Sequence, residues 1–370
     1  MIQLPKHISD LTPYKAGQSA AEIQRLYGID NVAKLASNEN PLGSSPKAIL
    51  AVQSALHNCS LYPDGGQALR EVLAAKFGRM TEEIICHSGS DALIHLTLRT
   101  FLEAGDELIS SHGTFIGFQV AAKLHGFNPQ YIPQTDDYRF DLEAIFAAIT
   151  SRTKIIYLAN VNNPTGTYFT KEEFEWLIER VPTSVLVIMD EAYSEYSKDI
   201  MPDFLDSLRY NYPNMLTLRT FSKVYGLAGF RVGYGIANEE IVAPMLRTKL
   251  PFEPNTLGQI AAIAALEDTD FLEKSVALNT EGIRLFTKEF TRLGLKHPHS
   301  AGNFVMIDCT NPDIAQQLYM ALLRKGFITR PLGGFSLPHC IRISTGTKDQ
   351  NKRLIEAMEA IVPLVFQDYL

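Results

Sequence analysis

Val185-Leu186-Val187-Ile188-Met189-Asp190-Glu191-Ala192-Tyr193 carries the strongest structural signal in the chain. Five consecutive apolar residues, without the alternation of a half-exposed strand, predict a strand covered by helices on both faces, as in a parallel sheet. The change to carboxylates sets Asp190 at the carboxyl end of that strand, the edge of an open α/β sheet at which ligands bind. On either side, strand-like runs recur at 83–87, 107–111, 129–133, 154–159, 215–220 and 231–236, with helical patterns between them. This alternation predicts an α/β fold whose large domain holds a mostly parallel sheet of seven strands.

Past Asp270 the pattern changes. Residues 271–293 carry apolar side chains at helical spacing, 303–308, 326–330 and 340–344 alternate like strands, and 348–362 reads as an amphipathic helix. A chain of 370 residues exceeds the ~250–300 at which single cores stop growing. The expected division is a large domain over 40–265, a smaller α/β domain over 266–370, and an opening segment, 1–39, that serves as an arm and as part of the small domain. The arm has little periodicity and is expected to fold back or to reach a partner.

Hydrophobic residues make up 46% and charged residues 20% of the chain, which excludes the disordered and fibrous classes. A net charge of −7 offers no basic field to draw the chain onto phosphate backbones, so no nucleic-acid partner is expected. No apolar run approaches the ~20 residues that span a bilayer. Residues 1–10 mix Lys6, His7 and Asp10 into a short apolar run, unlike a signal peptide. No membrane partner is expected, and the expected location is the cytoplasm. Cys59, Cys86, Cys309 and Cys340 stand far apart, with no CxxC pair and no cysteine and histidine cluster at zinc-ligand spacing. They read as reduced thiols, and no metal site is expected.

Three further motifs follow predicted strands. Ser88-Gly89-Ser90-Asp91 opens the helical pattern 92–101, so its amides sit at a helix N-terminus that could take an anion or merely cap the helix. In Asn163-Pro164-Thr165-Gly166, proline and glycine fix a turn that aims the asparagine amide. Thr220-Phe221-Ser222-Lys223 ends another apolar strand, and Gly226, Gly229 and Arg231 follow it. Two hydroxyls, an amine and a guanidinium, among glycines that permit close backbone approach, compose a phosphate cradle beside a reactive amine. Taken singly, Asp190 reads as a helix cap and Lys223 as a solvated surface lysine; the neighbouring motifs change that reading.

These motifs, in this order and spread over nearly the whole chain, resemble the aminotransferases with the aspartate-aminotransferase fold, the type I fold of pyridoxal-phosphate-dependent transferases. Leu11-Thr12-Pro13-Tyr14, Ser37-Asn38-Glu39-Asn40-Pro41-Leu42-Gly43, Leu61-Tyr62-Pro63-Asp64-Gly65 and Arg342-Ile343-Ser344-Thr345-Gly346-Thr347 are similar to the histidinol-phosphate aminotransferases within that family. The resemblance implies pyridoxal 5′-phosphate as cofactor, held as a Schiff base on Lys223, which also shuttles a proton. A Schiff base needs a neutral amine, which burial and nearby cations favour. It further implies that Asp190 pairs with the pyridine nitrogen, that Tyr193 and Asn163 bond the ring oxygen, and that Phe115 stacks on the ring. Thr220, Ser222, Arg231 and the amides of Gly89, Ser90 and Asp91 would hold the cofactor phosphate. Tyr62 would reach the same phosphate from a second subunit, which makes the expected assembly a homodimer with shared active sites.

On the substrate side, the resemblance gives Arg342 to the substrate anion, with Arg330, Tyr14 and Asn163 as further contacts. The implied reaction is amino transfer from histidinol phosphate to 2-oxoglutarate, a step of histidine biosynthesis. Two departures stand out: the loop 331–338 is glycine-rich, and Glu253 and Pro254 occupy positions where less acidic residues are expected. Three other readings share these motifs. One is an aromatic amino acid aminotransferase, and another is a phosphoamino-acid decarboxylase on the same cofactor. The third is a ligand-sensing domain fused to a transcription regulator, against which the chain starts almost at the arm, without room for a preceding helix-turn-helix domain.

Overall fold

The computed structural model describes residues 2–9, 11 and 19–367. Its strands, in chain order, are β1 (Ala33–Lys34), β2 (Ile84–His87), β3 (Glu107–Ser111), β4 (Gln130–Ile132), β5 (Thr153–Ala159), β6 (Leu186–Asp190), β7 (Met215–Thr220), β8 (Gly233–Ala237), β9 (Phe304–Asp308), β10 (Phe327–Ile328), β11 (Arg330–Pro331) and β12 (Cys340–Ser344). Seven of them form one sheet in the order β2-β8-β7-β6-β5-β3-β4. β8 runs antiparallel to both of its neighbours, and every other pair in this sheet is parallel. The expected mostly parallel seven-stranded sheet is present.

The composition of β6 accounts for its place in the middle. Leu186 to Asp190 are all buried, and Val187 and Ile188 share a core with Leu93, Phe118, Ile155, Phe174 and Leu216. Burying one such side chain is worth ~1.5–3 kcal/mol, so a strand that is apolar on both faces belongs where neither face meets water. The register then levels three strand ends, with Asp190 opposite Ala159 of β5 and Leu218 opposite Asp190 on β7. Pairing continues past the strands: Asn160 donates its N–H to Asp190 O, and Glu191 to Leu218 O, each at 2.9 Å. The loops after β5, β6 and β7 therefore leave the sheet side by side.

Glu191 secures this edge through a buried ion pair. Arg219 donates to one Glu191 oxygen through Nε at 3.1 Å and Nη2 at 2.7 Å, and to Asp206 at 2.8 Å. Helix Ser90–Phe101 brings its N-terminus to the same edge. A Cβ on Gly233, the first residue of β8, would stand 2.7 Å from the carbonyl carbon of Gly89 and 3.0 Å from Arg219 O. Glycine there lets the strand lie against the turn that starts the helix.

The remaining strands form smaller sheets. β11, β12 and β9 make an antiparallel sheet in that order, and β1 pairs in parallel with β10. Helices Thr269–Arg292, Pro312–Arg324 and Lys348–Val365 pack there around Phe286, Phe290, Leu318, Leu354 and Met358. Among the described residues, no helix is long and apolar enough to cross a membrane.

Several expectations are corrected. Arg231 does not begin a strand: it stands at φ 54 after the short turn Ala228–Phe230, and β8 starts only at Gly233. The single strand expected over 326–330 is two short ones in different sheets, separated by Thr329. The opening segment, read as aperiodic, contains helix Ala20–Tyr27, capped by the Ser19 hydroxyl and ended by Gly28 at φ 65. Its one buried residue is Ile23, packed with Ala36, Leu323 and Ile328, and a single anchor leaves no apolar period to read.

Gly233→Ala would force the added methyl into the Gly89–Ser90 turn. We expect a loss of roughly 1–3 kcal/mol of stability, measured by urea denaturation, and an unchanged midpoint would contradict this packing.

Candidate active site

The loops after β5, β6 and β7, with the turn before helix Ser90–Phe101, enclose a cavity of about 250 Å³. Ser90, Asp91, Phe115, Asn163, Asp190, Tyr193, Thr220, Ser222, Lys223 and Arg231 line it, together with Ala159, Val161, Ala192 and Ala228. Most residues singled out from the sequence thus converge on one space. The four small apolar residues lay outside that reading, since nothing distinguishes them in sequence from core residues.

Asp190 carries the buried charge of the site. Its Oδ2 accepts the Tyr157 hydroxyl at 2.6 Å and its Oδ1 accepts the Ala192 N–H at 3.2 Å. Burial nevertheless pushes the carboxyl up to about 6, against the pull of those two hydrogen bonds. Tyr157 was missed because it lies within the apolar run of β5, where an aromatic residue reads as core.

Lys223 extends over the Tyr193 ring, with Nζ 5.7 Å from the ring centre, and donates to Ser37 O at 3.4 Å. Burial lowers its amine to about 8, and nearby Arg342 and Arg231 act in the same direction, while Glu39 and Asp190 oppose them. A lysine in this state exchanges its proton near neutral pH and is available as a nucleophile.

At the cavity end near the helix, hydroxyls and a guanidinium gather. Thr220 Oγ1 donates to Ser222 Oγ at 3.0 Å, and Ser222 N–H donates back to Thr220 Oγ1 at 3.1 Å. Arg231 Nη1 donates to Ser222 Oγ at 3.4 Å and to Ala228 O at 3.2 Å. Gly89 stands at φ 96, and a Cβ there would lie 2.7 Å from Arg231 Nη2, so the guanidinium rests against bare backbone. The free amides of the helix beginning at Ser90 add to this positive end, which suits a phosphate. Asp91 Oδ1 is buried in the cavity without a hydrogen-bond partner among the described residues.

Arg342 arrives from the smaller sheet. Its Nη1 donates to Asn163 Oδ1, and its Nη2 donates to Ala36 O at 2.7 Å. The guanidinium carbon lies 5.2 Å from the Phe304 ring centre and 5.9 Å from that of Phe335, which ties the glycine-rich loop 331–338 to this arginine. In the register of β11 and β12, Arg330 is directly opposite Arg342. Cross-strand partners share one face of a sheet, where like charges are destabilising unless a countercharge is supplied.

The remaining expected residues fall elsewhere. Tyr62 is 80% exposed, stacks on Phe252 with ring centres 4.4 Å apart, and does not line the cavity of its own chain. Tyr14 lies outside the described residues. Glu253, the unexpected acid, places Oε2 3.0 Å from Nδ1 of His87, the residue that precedes the Ser88-Gly89-Ser90-Asp91 turn. Away from the cavity, donor atoms of Asp308, His339 and Cys340 lie within 4.8 Å of one another, a proximity that spacing along the chain does not reveal. Lys296 at 2.9 Å and Tyr138 at 2.8 Å already engage that carboxylate. Two further residues about the site, Asn38 and Ser344, received no role from the sequence, although both lie within quoted motifs.

Residues 30–358 match the family described as aminotransferase class I and II. A histidinol-phosphate aminotransferase of an Anaeromyxobacter species is 42% identical over 362 residues, covering 97% of this chain and 99% of that protein. One from Hydrogenovibrio crunogenus is 44% identical, covering 96% of this chain and 95% of that protein. Among solved structures, histidinol-phosphate aminotransferase from Sinorhizobium meliloti in complex with pyridoxal-5′-phosphate superposes with a TM-score of 0.89 at 29% identity, covering 99% of each chain. With a family match over most of its length and relatives of this identity across nearly the whole of it, the chain belongs to the class I and II aminotransferases.

Proposed function

We propose that the cavity binds pyridoxal 5′-phosphate and that the chain transfers the amino group of histidinol phosphate to 2-oxoglutarate. The cofactor's three functional groups have complementary partners here. The hydroxyls of Thr220 and Ser222, Arg231 and the amides from Gly89 to Asp91 suit its phosphate, Asp190 suits a protonated ring nitrogen, and Lys223 suits its carbonyl. The orphaned Asp91 oxygen is a further sign of a cavity shaped for a polar guest. When bound, this cofactor supplies an electron-withdrawing ring that spreads the negative charge left on a substrate carbon.

The chain's own residues would do the rest. Asp190, kept from water, holds a positive charge on the ring nitrogen. Lys223 Nζ takes the proton from the substrate carbon and later returns one. Tyr193 and Asn163 orient the ring through its oxygen, and Phe115 covers it. Arg342, Arg330 and Tyr14 hold the substrate anion, with Asn163 linked to that group through its bond with Arg342.

The observation that carries the choice of substrate is the facing pair Arg330 and Arg342. Two guanidinium groups on one sheet face suit a phosphate dianion better than a single carboxylate, and histidinol phosphate offers the former in place of the latter. Relatives at about 40% identity bearing the histidinol-phosphate aminotransferase name support the same choice.

The assembly proposed is a homodimer with shared sites. Tyr62 and Phe252, stacked on it, are exposed apolar groups, as are Leu50, Leu56 and Leu61 in the segment leading to Tyr62; a second copy would cover such groups, bringing Tyr62 to the partner's cofactor phosphate. The division proposed for the chain is an N-terminal arm and part of the small domain over 1–39, a large cofactor-binding domain over 40–265 and a small domain over 266–370. A cytoplasmic location completes the proposal, and all four cysteines being free fits a reducing compartment.

Purified protein supplied with histidinol phosphate and 2-oxoglutarate should form glutamate. No glutamate, beside rapid turnover of phenylalanine or tyrosine, would overturn this substrate assignment, and carbon dioxide release without need of 2-oxoglutarate would overturn amino transfer. Arg330→Ala and Arg342→Ala should each lower kcat/KM for histidinol phosphate by about tenfold to a hundredfold, and by much less for unphosphorylated histidinol.

The titration of the two central groups gives a pH test. Lys223 is neutral above about 8 and Asp190 is ionised above about 6, so both reach their binding forms as pH rises. Capture of pyridoxal 5′-phosphate by the cofactor-free protein, followed by stopped-flow absorbance, should speed up roughly tenfold per pH unit between about pH 6 and 8, where Lys223 alone titrates, and then level off. A rate that falls across that range would contradict the assignment of Lys223.

A further inference from the structure

Asn38 is a buried residue at φ 55, a left-handed conformation that asparagine tolerates better than most side chains. It touches three parts of the fold. Its N–H donates to Ser344 Oγ at 3.0 Å, Ser344 Oγ donates to Asn38 Oδ1 at 2.7 Å, and Asn38 Nδ2 donates to the Tyr193 hydroxyl oxygen at 2.9 Å. Asn303 Nδ2 donates to Asn38 O at 3.1 Å.

The donor count leaves one solution at each step. Ser344 Oγ accepts the Asn38 N–H, and because this hydroxyl is buried and Asn38 Oδ1 is the acceptor it reaches among the described residues, its single proton goes to Oδ1. That bond tells the oxygen of the amide from its nitrogen, and Nδ2 must face Tyr193. The Tyr193 oxygen then holds a donated hydrogen bond, and its own proton is directed elsewhere. Tyr193 lines the cavity, where no described residue takes that proton.

We propose that Asn38, oriented by Ser344, is a positioning residue that turns the Tyr193 hydroxyl proton into the cavity, so that Tyr193 acts as a donor to an anionic oxygen of the bound cofactor. This rests on the cofactor assignment above. Ser344 is two residues from Arg342 on β12, so the strand that carries the substrate-binding arginine also sets the direction of the tyrosine proton. Asp190, Lys223 and Arg342 are the charged groups around the phenol, with Tyr157 and Tyr196 as the other titratable neighbours. None of them replaces the amide as donor to the phenol oxygen among the described residues.

The test is the pH midpoint of the visible absorption of the protein loaded with pyridoxal 5′-phosphate. A donor to an anionic oxygen stabilises the deprotonated chromophore, so its loss raises the midpoint. Asn38→Asp offers Tyr193 a carboxylate to donate to and withdraws the proton from the cavity. The midpoint should rise by roughly one to two pH units. Because the new charge also acts directly, the comparison is made again in Tyr193→Phe, where the rise from Asn38→Asp should be smaller by about one unit. Ser344→Ala, which frees the amide to rotate, should raise the midpoint in the same direction and serves alone if Asn38→Asp does not fold. Equal rises with and without Tyr193, or a wild-type midpoint in Ser344→Ala, overturn the positioning role. A wild-type protein that develops no visible band overturns the cofactor assignment, and the role with it.

Discussion

A carboxylate forced out of water at the end of a central strand is the constraint around which the site is built. Asp190 is 4% exposed and its pKa lies near 6 rather than the ordinary 3.8, a displacement equivalent to roughly 3 kcal/mol. Left alone, such a group is costly to ionise, and a cation in the cavity relieves that cost. Lys223 is displaced the other way, from 10.5 to about 8. With the acid shifted up and the amine shifted down, both stay mostly charged at neutral pH, yet each lies within about one pH unit of its midpoint, which leaves Lys223 able to give up its proton readily.

The fold supplies this arrangement with few devices. An apolar β6 seeks the middle of the sheet, the register levels the ends of β5, β6 and β7, and glycine at 233 lets the first turn of helix Ser90–Phe101 approach them. The positive end of the cavity and its buried acid are thereby set on one rigid edge. The cations proposed to meet a substrate, Arg330 and Arg342, stand on a different sheet, facing each other on β11 and β12. Asn163 and Asn38 join the two, one through the arginine and the other through Ser344 and Tyr193.

Much of this was legible in the sequence because it is local. Asp190, Lys223, Asn163 and Ser90 each follow a run of apolar residues, and the rule that ligands bind at carboxyl ends of strands brings them together without coordinates. Arg231 lines the cavity but lies outside any strand, with a left-handed backbone and its guanidinium against Gly89 and Ser222, contacts that pattern alone does not encode. Asn38 escaped because its partners lie 155 and 306 residues away. The facing of Arg330 and Arg342 likewise depends on strand register, and a sequence that suggested one strand over 326–330 could not express it. Tyr62 had meaning only through resemblance, and its ring is exposed in the single chain.

One buried amine, Lys223, is proposed to carry the cofactor. The most direct test is reduction of the pyridoxal-phosphate-loaded protein with borohydride, followed by peptide mapping by mass spectrometry. The account predicts a single pyridoxyl-phosphate adduct per chain, located on Lys223. An adduct on other lysines with Lys223 unmodified, or none at all, would contradict it.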